Sequence, residues 1–104
     1  MAARRRVIWA PRAQAALDEA VEFVAQDSSS GALRILEQAL AAAESLTTLS
    51  ERGRVVPELA EPNAREIFVF RYRLLYEVEP ENVRIVAFLH GARDFERWRR
   101  EAER

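Results

Sequence analysis

The chain predicts an α+β domain: an N-terminal strand, an α-helical hairpin, a three-stranded antiparallel meander forming one sheet, and a short C-terminal helix. Three observations carry this. Apolar residues recur at helical spacing between Ala13 and Leu46. From Arg65 onward the apolar period falls to two. Gly53, Pro57 and Pro62 separate the two regimes. With helices gathered before strands, the hairpin packs on one face of a mostly antiparallel sheet. The 104 residues suit one domain, spanning 1–104, around a single core.

Arg4 to Trp9 alternates, with Arg5, Val7 and Trp9 on one face, and reads as the first strand. Pro11 opens a helix, because proline is tolerated at the first helical position. Its stripe is Ala13, Ala16, Leu17, Ala20, Val21 and Val24. Ser28-Ser29-Ser30-Gly31 breaks the pattern, and one serine caps a second helix. There Ala32, Ile35, Leu36, Ala39, Leu40, Ala43 and Leu46 form the stripe, and the alanines allow close helix approach. The ten residues around Pro57 and Pro62 read as irregular. Ile67 and Val69 then alternate with Phe68 and Phe70, and Tyr72, Leu74, Tyr76 and Val78 with Arg73, Leu75 and Glu77. Glu79-Pro80-Glu81-Asn82 is a turn. Val83, Ile85, Ala87 and Leu89 share a face of the last strand. The break at Phe70-Arg71 has no glycine or asparagine, yet a single strand from Arg65 to Val78 exceeds the usual length. Asp94 to Arg104 reads as a short helix with Phe95 and Trp98 inward.

Composition narrows the chemistry. There is no cysteine, hence no disulfide framework and no thiolate catalysis. All 16 basic residues are arginine, so no lysine amine serves as nucleophile or base. No apolar run approaches the ~20 residues of a membrane span. The basic start is followed only by Val7-Ile8-Trp9-Ala10 before Pro11, too short for a signal-peptide apolar region. The reading is a cytoplasmic protein with no cofactor and no metal. The formal net charge is -1, unlike a general nucleic-acid binder. Ala13 to Glu51 is acidic, and the remainder, holding all the other arginines, is basic.

Two segments stand out: Tyr72-Arg73-Leu74-Leu75-Tyr76, and His90-Gly91-Ala92-Arg93 about twenty residues later. As neighbouring strands they bring two arginines to one end of the sheet, and the guanidinium fork suits phosphate or carboxylate. With Val7-Ile8-Trp9, Gly53-Arg54-Val55-Val56-Pro57-Glu58 and Arg65-Glu66, in this order and spacing, the chain resembles the RelE/ParE toxins of bacterial type II toxin–antitoxin modules, also called plasmid stabilisation proteins. The resemblance covers nearly the whole chain. It implies a RelE/ParE-like fold and a toxin neutralised by, and hetero-oligomeric with, a cognate antitoxin.

The family has two best-known branches. RelE-like members cut messenger RNA on the ribosome; ParE-like members poison DNA gyrase. Ribonuclease chemistry needs a base, a cation for the phosphorane charge and an acid. The resemblance implies Arg73, Arg93 and His90 as the candidates for those catalytic roles. The plainer reading of His90 is a strand-end residue with local hydrogen bonds. The lysines that RelE-like members carry before Arg73 are missing, as is the tyrosine about six residues after Arg93. The His-Gly-Ala-Arg-Asp ending also looks more ParE-like. The reading therefore favours a non-enzymatic gyrase inhibitor. Arg54, Arg65, Arg73 and Arg93 are its candidate anion- or target-binding residues. The alternatives are a RelE-like endoribonuclease acting on ribosome and mRNA, and a non-toxic antitoxin-binding relative. For Arg54 the plainer expectation is an ion pair with Glu58 that fixes the loop; Arg65 and Glu66 are expected to pair across strands. Replacing Arg73 and Arg93 is expected to weaken toxicity without unfolding the domain.

Overall fold

Alternating apolar side chains commit β-strands to bury one face, and two amphipathic helices supply the layer that covers it. The computed structural model describes residues 4–102, apart from the side chains of Ala92 and Arg93. Its elements run β1 (Arg6–Trp9), α1 (Pro11–Ala25), α2 (Ser29–Ser45), β2 (Arg54–Val55), β3 (Ala64–Val69), β4 (Tyr72–Val78), β5 (Asn82–His90) and α3 (Gly91–Ala102). The sheet order is β1-β5-β4-β3-β2. β1 runs parallel to β5, with Val7 opposite Val83, and the other pairs are antiparallel.

The helical starts follow the sequence. Pro11 opens α1, and the Ser28 hydroxyl accepts the Gly31 N–H at 2.9 Å to cap α2. The hairpin stripe meets Val69, Leu74, Tyr76, Val83, Ile85 and Phe88 on one face of the sheet. A second cluster lies on the opposite face: Val56, Leu75, Ala87, Leu89 and Phe95, with Trp98 half-buried against it. Phe95 of α3 thus closes the face that the hairpin leaves open.

Four expectations need correction. The segment after Gly53 is not wholly irregular, because Arg54–Val55 adds a fifth strand beside β3. Leu40 leaves the α2 stripe and is 49% exposed, since Ala39 and Ala43 already bring the helix close to its neighbours. The last strand does not keep Val83, Ile85, Ala87 and Leu89 on one face. Leu75 faces Ala87 while Tyr76 faces Ile85, so Val86 is an extra residue that moves Phe88 to the hairpin side. The last helix begins at Gly91, whose φ of 84° suits glycine, rather than at Asp94. The β3–β4 turn does fall at Phe70-Arg71, with Phe70 at φ 55°.

Candidate functional site

Arg73 lies on the sheet face under α3, opposite Phe68 and Leu89 on the flanking strands. Its guanidinium is engaged at all three nitrogens. Nε donates to Glu66 at 2.6 Å, and the two terminal nitrogens donate to the two Glu58 oxygens at 2.9 and 2.8 Å. The other Glu66 oxygen accepts from Arg54 Nε at 2.6 Å. The Phe95 ring sits 5.0 Å from the Arg73 guanidinium carbon. Two arginines and two carboxylates thus form a charge-neutral chain linking β2, β3, β4 and the Pro57 loop.

Burial gives this chain its weight. The Glu66 side chain is 0% exposed and that of Arg73 10%. A buried ion needs partners for every polar group, and these partners meet that need. The Glu58 carboxyl is held below the usual carboxylate range, chiefly by its hydrogen bonds from Arg73 and against the opposing effect of burial. The Arg73 guanidinium is held still more firmly protonated, first by Glu58 and then, against burial, by Glu66. The expected Arg54–Glu58 pair does not form, because Glu66 takes Arg54 and Arg73 takes Glu58.

The remaining candidates lie elsewhere. Arg65 faces the other way from Arg73, and one of its terminal nitrogens donates to the backbone carbonyls of Glu51 and Gly53 at 3.1 and 2.8 Å. Its Nε is buried without a partner. The cross-strand pairing expected of Arg65 and Glu66 thus holds for Glu66, which meets Arg54 and Arg73 on the flanking strands, while Arg65 takes backbone carbonyls instead. His90 is exposed at the end of β5, its ring 5.1 Å from that of Tyr72. Tyr72 in turn stacks on Phe88 at 4.8 Å and packs with the hairpin core. His90 and Arg73 therefore belong to opposite faces of the sheet. The His90 backbone N–H donates to the Asp94 carboxylate at 3.1 Å, a local bond at the strand end. Arg93 falls within α3, and its side chain lies outside the described residues.

A cleft of about 620 Å³ opens between α1 and α3, over the end of β5 that β1 does not reach. Two ion pairs cross or line it: Arg12 pairs with Glu101 at 3.0 Å from helix to helix, and Arg97 with Asp94 at 3.2 Å. Among the described residues no group of histidine and carboxylate side chains is placed to hold a metal ion, and no helix is long and apolar enough to cross a membrane.

The sequence reading gave Glu66 no role beyond cross-strand pairing. Its signal was present: Ala64, Glu66 and Phe68 share a strand face, and a carboxylate among them needs a cation. The sequence marks Phe95 as core but carries no sign of its contact with Arg73.

A hairpin on one face of a five-stranded sheet, with a short helix on the other, defines a small α+β class of fold. Residues 7–95 match the family model for the ParE toxin of the type II toxin–antitoxin system parDE. The chain belongs to this family. It is thus a type II toxin with a cognate antitoxin as partner. Among solved structures, a chain of the chromosomal ParDE TA system from P. aeruginosa is 17% identical. That match covers 84% of this chain and 96% of the other, with a TM-score of 0.68. A chain of the YoeB dimer from Staphylococcus aureus is 13% identical, covering 86% of this chain and 99% of its own, with a TM-score of 0.58. At these identities the likeness concerns the fold. No curated protein matches the sequence.

Proposed function

We propose that this toxin acts as a non-enzymatic inhibitor of DNA gyrase, held inactive by its antitoxin. The observation that carries this reading is the occupied fork of Arg73. Glu58 and Glu66 use all three of its nitrogens, so it offers no free cation to a phosphorane. His90, the candidate base, stands on the other face of the sheet beside Tyr72. In-line attack by a 2′-hydroxyl requires base, cation and acid around one phosphate, and the separation of His90 from Arg73 argues against these two sharing it. Membership of the ParE family supports the same reading. Arg54, Arg65 and Arg73 then act through the surfaces they hold in place, and Arg93 is the candidate for direct target contact.

The test is pulse-labelling of DNA and protein synthesis in the minutes after this chain is induced alone. Early loss of DNA synthesis with translation intact is expected. Early loss of translation would overturn the reading in favour of messenger cleavage. Purified chain and gyrase provide the direct assay: relaxed plasmid should remain unsupercoiled, or be trapped cleaved, in the presence of the toxin.

A further inference from the structure

The cleft between α1 and α3, at about 620 Å³, has the size of a small-ligand site. Its α1 wall is low, because Ala15, Ala16 and Ala20 are small. That wall ends in Phe23, which at 67% is the most exposed large apolar side chain among the described residues. Trp98 of α3 stands on the opposite wall, and Tyr72 and His90 line the floor. Glu19 and Phe23 lie four residues apart on α1, so their side chains are neighbours on one helix face.

The charges of the cleft do not balance. Three carboxylates line it, Glu19, Asp94 and Glu101, against two arginines, Arg12 and Arg97. Arg12 takes Glu101 and Arg97 takes Asp94, so among the described residues Glu19 has no cation within ion-pair distance. The other phenylalanines show what these rings collect. Arg34 lies 5.6 Å over the Phe70 ring, Arg54 5.3 Å over Phe68 and Arg73 5.0 Å over Phe95. Phe88 is stacked on Tyr72. Of the five phenylalanines, only Phe23 carries neither a cation nor a ring among the described residues, and it stands beside the unpaired Glu19. A positive group placed over Phe23 gains the attraction of the ring face and of the carboxylate together.

We propose that this cleft binds an organic cation, an alkylammonium or guanidinium group on an apolar stem. The charged end sits between Glu19 and the Phe23 ring, and the stem runs along the alanine wall towards Trp98 and Tyr72. An anion does not fit, because both arginines are already paired and Glu19 repels it. A neutral apolar ligand would cover Glu19 without supplying a counter-charge. A metal ion lacks ligands, since no group of three histidine or carboxylate side chains converges among the described residues. An added peptide strand meets an obstacle at His90, whose backbone N–H is held by Asp94. The cation arrives either as a free amine or guanidine or on a basic side chain of another protein; both present the same group. The inference stands apart from the gyrase reading, since it uses none of Arg54, Arg65, Arg73 and Arg93.

The experiment titrates the full chain with butylguanidinium, with butylurea as its neutral isostere, with pentanoate as an anion, and with a blocked tripeptide carrying one central arginine. The Trp98 indole N–H and the Phe23 ring are followed by NMR. Butylguanidinium is expected to shift both sets of signals at millimolar concentration, and butylurea to bind about tenfold more weakly or not at all. Glu19→Gln, checked for folding by circular dichroism, should weaken butylguanidinium about tenfold, and high salt should act in the same direction. Equal binding of butylurea would overturn the proposal, and this comparison uses only the wild-type chain, so it holds even if the variant misfolds. Binding undiminished in a folded Glu19→Gln chain would also overturn it, as would a preference for pentanoate or silence of both signals with every probe. A tripeptide that binds more tightly than butylguanidinium supports the site and assigns its cation to a basic side chain of a protein. Weaker binding of the tripeptide supports the site and assigns it to a free small cation.

Discussion

Arg73 shows how one residue's role depends on its neighbours. On a strand it reads as a free fork for an anion; in the fold its anions are already present as Glu58 and Glu66. Its removal leaves Glu66 buried with only Arg54 beside it. Breaking a buried pair by deleting one partner costs about 3–5 kcal/mol. Arg73→Ala should therefore lower unfolding free energy by about that amount in urea titration. Arg73→Leu combined with Glu66→Leu should recover much of it, because the charges left without these partners, Arg54 and Glu58, are solvent-accessible rather than buried. Reduced toxicity of Arg73→Ala must accordingly be corrected for lost folded protein, contrary to the simple expectation from sequence. Glu58 adds a pH dependence. Its folded pKa lies below the ordinary 4.5, so its contribution is complete above that value and is lost as pH falls through the lowered one. Melting temperature measured from pH 6 to pH 3 should fall less steeply for Glu58→Gln than for wild type. An equal slope would remove Glu58 from the acid transition.

Two turns join the elements by opposite means. At Gly53 the demand is space. A Cβ there would lie 2.6 Å from both the Glu66 carbonyl oxygen and the Tyr76 hydroxyl. The Gly53 N–H donates to that hydroxyl at 2.9 Å, which ties the end of the helical region to β4. Burial raises the Tyr76 pKa and keeps the phenol neutral, so its contribution holds up to about pH 10 and declines above. Gly53→Ala should cost about 1–3 kcal/mol in chemical denaturation, since neither neighbour is the end of a flexible chain. At Phe70 the demand is conformation. A non-glycine residue held in the left-handed region costs about 1–2 kcal/mol. Phe70→Gly should thus raise stability by about 0.5–1 kcal/mol after glycine's own entropic cost, measured as a higher midpoint in urea. A lower midpoint would mean that the Arg34 contact outweighs the strain.

Across the molecule, the central strands β4 and β5 hold two cores apart and each other in place. Their amides around Leu74–Tyr76 should exchange only on global unfolding, whereas Val55 in the two-residue β2 should exchange through local opening. Native-state hydrogen exchange under increasing denaturant separates the two. The arrangement also divides labour: the hairpin seals one face, α3 and the Arg73 network seal the other, and the edge at Phe68 stays uncovered.

Much of this was decided by the sequence. Apolar spacing of 3.6 and then 2 specified helices before strands; Pro11, Ser28 and Gly53 marked their ends; the ordered motifs from Val7 to Arg93 pointed to the toxin family. These are local properties, set by backbone propensity and by which side chains must leave water. Other features arose only when distant segments met. The bulge at Val86 shifts half of β5 to the opposite phase, and no composition signal marks it. β2 exists because Arg54 and Val55 find an edge at β3. Whether Arg73 is an anion site or an ion-paired clamp depends on Glu58 and Glu66 lying 15 and 7 residues away in the chain yet within 3 Å in space. A charge's meaning is fixed by what surrounds it, and those surroundings belong to the tertiary structure.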